Sequence, residues 1–243
     1  MKRNLQIIII LFLIFTGILS ACKAKPDVVE EIKVEDSAVV PDIVNISVPP
    51  YIPEKLIERL NEVDILSVSA FTDGLGGRLD VSSEDPAFEW VYVLAAPFSY
   101  IGSGVTSADL KAFWQGGYPP DFLIDKIFLD GSTNAVLEKL WGSASINNIV
   151  VVSSEDLLTK TWEAENSVAI LQFNQLEPAW KVLPIDGESP IEKRFNSQEY
   201  VLTIPFSFLG NQVQRDLLKS ILEENFIKPK YQPASNRSVD HLT

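Results

Sequence analysis

The stretch Glu89–Ala96, EWVYVLAA, constrains the fold more than any other. A run this apolar, and this rich in β-branched and aromatic residues, reads as a strand buried on both faces. Such a strand needs a layer above and a layer below, and the segments around it can supply them. A polar glycine loop, SYIGSG, leads into SADLKAFWQGG, a helical pattern with Thr106 or Ser107 at its N-cap. Asp109 in its first turn suits the helix dipole, and a glycine pair ends it. Asp121–Leu129 then reads as strand, Ser132–Trp141 as helix, Asn148–Val152 as strand, and Ser153–Trp162 as helix capped by Ser153 or Ser154. Val168–Phe173 and Lys181–Ile185 follow as strands, the second stopping at Asp186-Gly187, before a strand over Tyr200–Phe208 and a helix over Val213–Asn225. Upstream, Pro53–Leu60 reads as a short helix and Asp64–Phe71 as a strand. Gly74, Gly76 and Gly77 form a turn, and Arg78–Val81 is a strand. Strands and helices that take turns in this way predict an α/β protein rather than a sandwich or a bundle.

The N-terminus speaks to location. Lys2 and Arg3 precede the apolar run Ile7–Phe15, which is followed by small residues and the tetrapeptide LSAC, Leu19–Cys22. This is the pattern of a secretory signal, and its apolar part is shorter than the ~20 residues of a membrane-spanning helix. LSAC resembles the lipobox of bacterial lipoproteins, in which the cysteine is lipidated; the competing reading is an uncleaved anchor with a chance cysteine. Cys22 is the only cysteine, so the chain has no internal disulfide. Either reading puts the body of the protein outside the cytoplasm, held at the membrane. Residues 22–50 carry Pro26, Pro41, Pro49, Pro50 and scattered acids without a sustained apolar period, and are expected to be a tether. The net charge of −13 makes nucleic acid a poor partner.

Most site chemistry fails on inventory. The one histidine is His241, near the end of the chain, and no spacing of Cys or His suggests zinc. Adjacent acids such as Glu84-Asp85 and Glu223-Glu224 point apart and read as solvated surface. No G-x-S-x-G elbow occurs, a Ser-His-Asp triad would need His241, and the Gly74–Gly77 stretch lacks the Lys and Ser/Thr of a phosphate loop. No pair of acids is singled out for glycosidase chemistry. The sequence therefore nominates no catalytic residue, no metal site and no cofactor. What remains is anion binding at helix N-termini, through backbone N–H groups near Gly104–Ser107 and Ser132–Asn134 with the hydroxyls of Ser103, Ser132 and Thr133. The competing reading is that these residues are ordinary caps and turns. The tryptophans are expected mostly in the core.

Several stretches resemble phosphate-type solute-binding proteins: VTSADLKAFWQGG, DGSTNAVLEKLWG, the run from VVVSSEDLL to PIDGESP, and YVLTIPFSFLGN. LAAPFSYIGSGVTSADLKAFW, WEAENSVAILQFNQLEPAWKVLPIDGESPIEKRF and SNRSVDHLT together resemble the front module of CapA-type (poly-γ-glutamate capsule synthesis) lipoproteins. The resemblance implies a bilobed type 2 periplasmic-binding-protein-like α/β fold over residues 51–228, after a signal over 1–21 and the tether over 22–50. Its first lobe is shortened, because Asp64–Glu89 lacks the helix that follows the first strand in phosphate-binding relatives. Residues 229–243 correspond to the junction with a metallophosphatase-like domain. Asp186 is placed near the hinge, where it turns the chain with Gly187. The expected role is solute binding, with a small anionic solute or a glutamyl polymer as ligand. The alternatives are a fragment of a capsule enzyme and a structural lipoprotein that binds no ligand.

Overall fold

The computed structural model describes residues 43–70 and 77–225. The segment 1–21, Cys22, Gly74, Gly76 and the tail 229–243 with His241 lie outside the described residues. EWVYVLAA lies within the strand that organises the rest, β4 (Phe88–Pro97). The first half of β4 pairs antiparallel with β9 (Thr203–Leu209), Phe88 opposite Phe206 and Val91 opposite Thr203. Its second half pairs antiparallel with β7 (Ser167–Gln172), Tyr92 opposite Gln172, and with β8 (Trp180–Val182), Ala95 opposite Val182. One strand thus serves two neighbourhoods.

Each neighbourhood repeats the same order. Around the first half stand β1 (Val44–Val48), β2 (Leu66–Ala70) and β3 (Gly77–Val81), giving β2-β1-β3-β9-β4. Around the second half stand β5 (Lys126–Asp130) and β6 (Ile149–Val152), giving β6-β5-β7-β4 with β8 beyond. In both, three parallel strands meet one antiparallel strand, and an outer strand pairs with its far side. Helices α1 (Glu54–Asn61) and α5 (Gln212–Asn225) belong to the first lobe. Helices α2 (Ser107–Trp114), α3 (Gly131–Trp141) and α4 (Leu157–Glu163) belong to the second. The molecule is a bilobed α/β protein whose first lobe is the shorter. Residues 71–76 join β2 to β3, where residues 153–166, including α4, join β6 to β7.

The second sheet is covered on both faces, as the apolar runs required. Tyr92, Leu94, Ile127, Leu129, Val168 and Ile170 share one buried cluster with Leu110, Phe113 and Trp114 of α2 and Val136 and Leu137 of α3. Val93, Ala95, Phe128, Ala169 and Leu171 point the other way, onto Leu157 of α4 and Trp180. The first cluster continues into the first lobe through Ile46, Leu56, Leu60, Leu79 and Phe206. Each fully buried Leu, Ile or Phe there contributes about 1.5–3 kcal/mol. Trp114 is buried and donates its Nε1–H to the Gly142 carbonyl at 2.8 Å, whereas Trp162 is half exposed.

Four sequence expectations are corrected. The tether over 22–50 does not extend through residue 48, because VNISV is β1, with Ile46 and Val48 buried on one face. A helix does follow the first strand: it is α1, which lies after β1 and upstream of Asp64–Glu89. The strand over Asp121–Leu129 begins at Lys126. Ser153 and Ser154 do not cap α4: Asp156 is its N-cap, and Ser153 and Asp156 close a turn before it, with the Asp156 N–H donating to Ser153 Oγ at 3.2 Å.

Candidate functional site

The second lobe has one edge at which β4 enters from the first lobe, level with Tyr92, Asp130 and Ile185. Both helices on its inner face begin there. Helix α3 starts directly after β5 ends at Asp130. Helix α2 begins beside Pro184–Asp186, past the end of β8, and its far end is joined to the far end of α3. There the Trp114 and Trp141 rings meet edge to face at 5.6 Å between centres. Ser103, Gly104, Ser132, Thr133 and Asp186 therefore all lie along this edge, in two clusters that no side-chain hydrogen bond joins among the described residues.

The first cluster is built on a chain crossing. The Val105 N–H donates to the Pro184 carbonyl at 3.1 Å, and the Asp186 N–H donates to the Val105 carbonyl at 2.9 Å. Gly104 has φ of +138°, and a Cβ there would lie 2.7 Å from the Pro184 carbonyl oxygen, so only glycine lets the strands approach. Asp186 (φ +53°) and Gly187 (φ +84°) form a two-residue hairpin closed by hydrogen bonds between Ile185 and Glu188. The hairpin aims the Asp186 carboxylate at α2, where it accepts the Ser107 N–H at 3.0 Å. Thr106 caps the same helix by accepting the Asp109 N–H at 3.0 Å. The ammonium of Lys181, which sequence reasoning missed, pins the preceding loop by donating to the Tyr100 and Gly102 carbonyls at 2.9 Å each. Ser103 is exposed beside it.

The second cluster centres on a residue the sequence reading passed over. Asp130 is the N-cap of α3, accepting the Thr133 N–H at 2.7 Å and the Ser132 hydroxyl at 2.8 Å, both on Oδ1. Two of the donors expected to receive an external anion, the Thr133 N–H and the Ser132 hydroxyl, are thus bonded to the chain's own carboxylate. Tyr92 and Thr133 are fully buried, and neither Tyr92 Oη nor Thr133 Oγ1 has a hydrogen-bond partner. Burial pushes the Tyr92 phenol well above its ordinary range, and the Asp130 charge adds to the shift. The Asp-Gly-Ser-Thr order itself carried the signal, since Asp three residues before a backbone donor is a favoured N-cap.

In the first lobe, Tyr51, Arg78 and Asp80 form a linked group. The buried carboxylate of Asp80 accepts from the Tyr51 hydroxyl and the Arg78 guanidinium. Burial, then the Asp80 carboxylate, pushes the Tyr51 phenol up to about 12. Lys139 of α3 places its ammonium 5.9 Å from the centre of the Tyr51 ring, a direct contact between lobes. No group of His, Cys, Asp and Glu suited to a metal ion occurs among the described residues. Two surface cavities, of about 390 and 350 Å³, flank α4. They are lined by residues such as Leu158, Thr159 and Trp180, and by none of the five candidates.

No protein-family model and no curated protein matches the chain. Solved structures do match. An ABC-type phosphate transport receptor from Vibrio cholerae superimposes with a TM-score of 0.53 at 12% identity, over 75% of this chain and 98% of that one. PstS from Borrelia burgdorferi gives a TM-score of 0.53 at 14% identity, over 76% and 97%. The chain has a type 2 periplasmic-binding-protein-like fold. At such identities the likeness is one of fold, and function must come from the site.

Proposed function

We propose that this chain is a lipid-anchored, extracytoplasmic binding module of the solute-binding class, whose two lobes close on a small solute at the edge carrying Gly104, Asp130, Thr133 and Asp186. The observation that supports it most is the twice-built strand order around the shared β4, with the N-termini of α2 and α3 on the edge where the lobes meet. The likeness in fold to an ABC-type phosphate transport receptor and to PstS supports a binding role. Here the two N-termini are closed by Asp130 and Asp186, which repel a bare anion. A solute carrying hydrogen-bond donors, such as a glutamyl peptide, fits them better. The lipobox-like LSAC supports anchoring through Cys22, and the stretches that resemble CapA-type lipoproteins support a place in capsule synthesis.

A second reading, a lipoprotein scaffold that binds no solute, draws on the buried cluster that runs unbroken through both lobes. Thermal unfolding of the full chain in detergent, with phosphate, amino acids and glutamyl peptides added singly, separates the two. A ligand at a hundred times its Kd stabilises by about 2.7 kcal/mol and raises Tm visibly. A flat response across the whole set contradicts the binding reading and leaves the scaffold.

A further inference from the structure

We propose that the cluster at the start of α3 holds a protonated amine of the solute, not an anionic group, with Asp130 as the charged partner and Thr133 and Tyr92 as its neighbours. The inference rests on the binding reading above and narrows the ligand class. Asp130 is 7% exposed, and no ion pair among the described residues includes it. Its two oxygens are used unequally. Oδ1 accepts both the Thr133 N–H and the Ser132 hydroxyl, while Oδ2 accepts from neither. A carboxylate taken this far out of water, with no ion-pair partner among the described residues, favours a positive donor.

The surroundings supply what such a donor needs. An ammonium carries three N–H donors and no acceptor, so its site must offer oxygens. Thr133 and Tyr92 are both 0% exposed, and both hydroxyls lack a partner within the chain. Thr133 is tied to Asp130 through its own backbone N–H, and the Asp130 charge acts on the Tyr92 phenol. Leaving such hydroxyls unpaired is unfavourable, and a bound donor relieves it. The first turn of α3 carries no basic residue, so nothing there offsets Asp130 against an incoming anion.

The test is a titration of the isotope-labelled full chain in detergent, read at the Ser132 and Thr133 amide signals. The probes are methylammonium, glycinamide and L-alanine on one side, and phosphate and acetate on the other. The expected result is saturable movement of the Thr133 signal by the amines and not by the anions. Asp130→Asn keeps a capping side chain and the fold, and should weaken amine binding at least tenfold. Thr133→Val should weaken it less. Equal amine binding by wild type and Asp130→Asn, or movement of Thr133 by phosphate alone, overturns the amine assignment while leaving a solute-binding module. Failure of every probe to move any signal along the Gly104–Ser107 and Asp130–Asn134 edge counts against the binding reading as well.

Discussion

The two lobes are built to the same strand order, yet they differ in what surrounds the strands. In the second lobe the central strand β7 is buried along its whole length, with α2 and α3 on one face and α4 on the other. In the first lobe β1 buries alternate residues, β3 leaves Arg78 and Val81 partly exposed, and β2 runs out to an exposed end. One order can therefore be kept up by two levels of coverage.

The largest effect expected from this comparison is in the cores. Ile46→Ala in β1 and Ile170→Ala in β7 should each cost about 2–5 kcal/mol in urea unfolding, since both side chains are fully buried. A cost near zero for Ile46→Ala would return residues 43–50 to the tether and remove β1 from the first lobe's core. Next is Gly104→Ala, which meets both an unsuitable φ and the Pro184 carbonyl, and should cost roughly 1–3 kcal/mol. Gly142→Ala is its control: φ is +80°, but nothing stands within 4 Å of the added carbon, so the loss should be smaller. Asp186→Ala removes a cap and should cost about 1 kcal/mol, with Asp186→Asn within a few tenths of wild type.

The smallest effect is a pH dependence at the lobe contact. The folded protein holds the Tyr51 proton up to about 12, against an ordinary value of 10.0. The folded state thus binds this proton more tightly, so the stability it confers is complete below pH 10 and is lost as pH rises through about 12. Tyr51→Phe should flatten that part of the stability profile relative to wild type. Identical slopes between pH 10 and 12 would show that the first-lobe network of Tyr51, Arg78 and Asp80 contributes no such linkage.

The same contrast explains what could be read from the sequence. The second lobe was legible because strands buried on both faces leave continuous apolar runs, VAILQF and EWVYVLAA, the second followed by a capped helix. β1 was not, because VNISV places only two residues in the core and sits against Pro49-Pro50 and an acidic stretch. The Asp186-Gly187 turn was legible from its residues, but its second task, capping α2 across the chain crossing, was not. Asp130 could have been found from the capping pattern. The pairing of Tyr51 with Asp80 depends on strands brought together by the fold, and no local pattern announces it.

The claim on which the rest depends is that the edge between the lobes keeps the fold of a phosphate receptor while its helix N-termini are filled by Asp130 and Asp186. Calorimetric titration of the full chain with inorganic phosphate tests this directly. The account predicts no saturable heat up to millimolar phosphate. Saturating binding with a sub-millimolar Kd would contradict it.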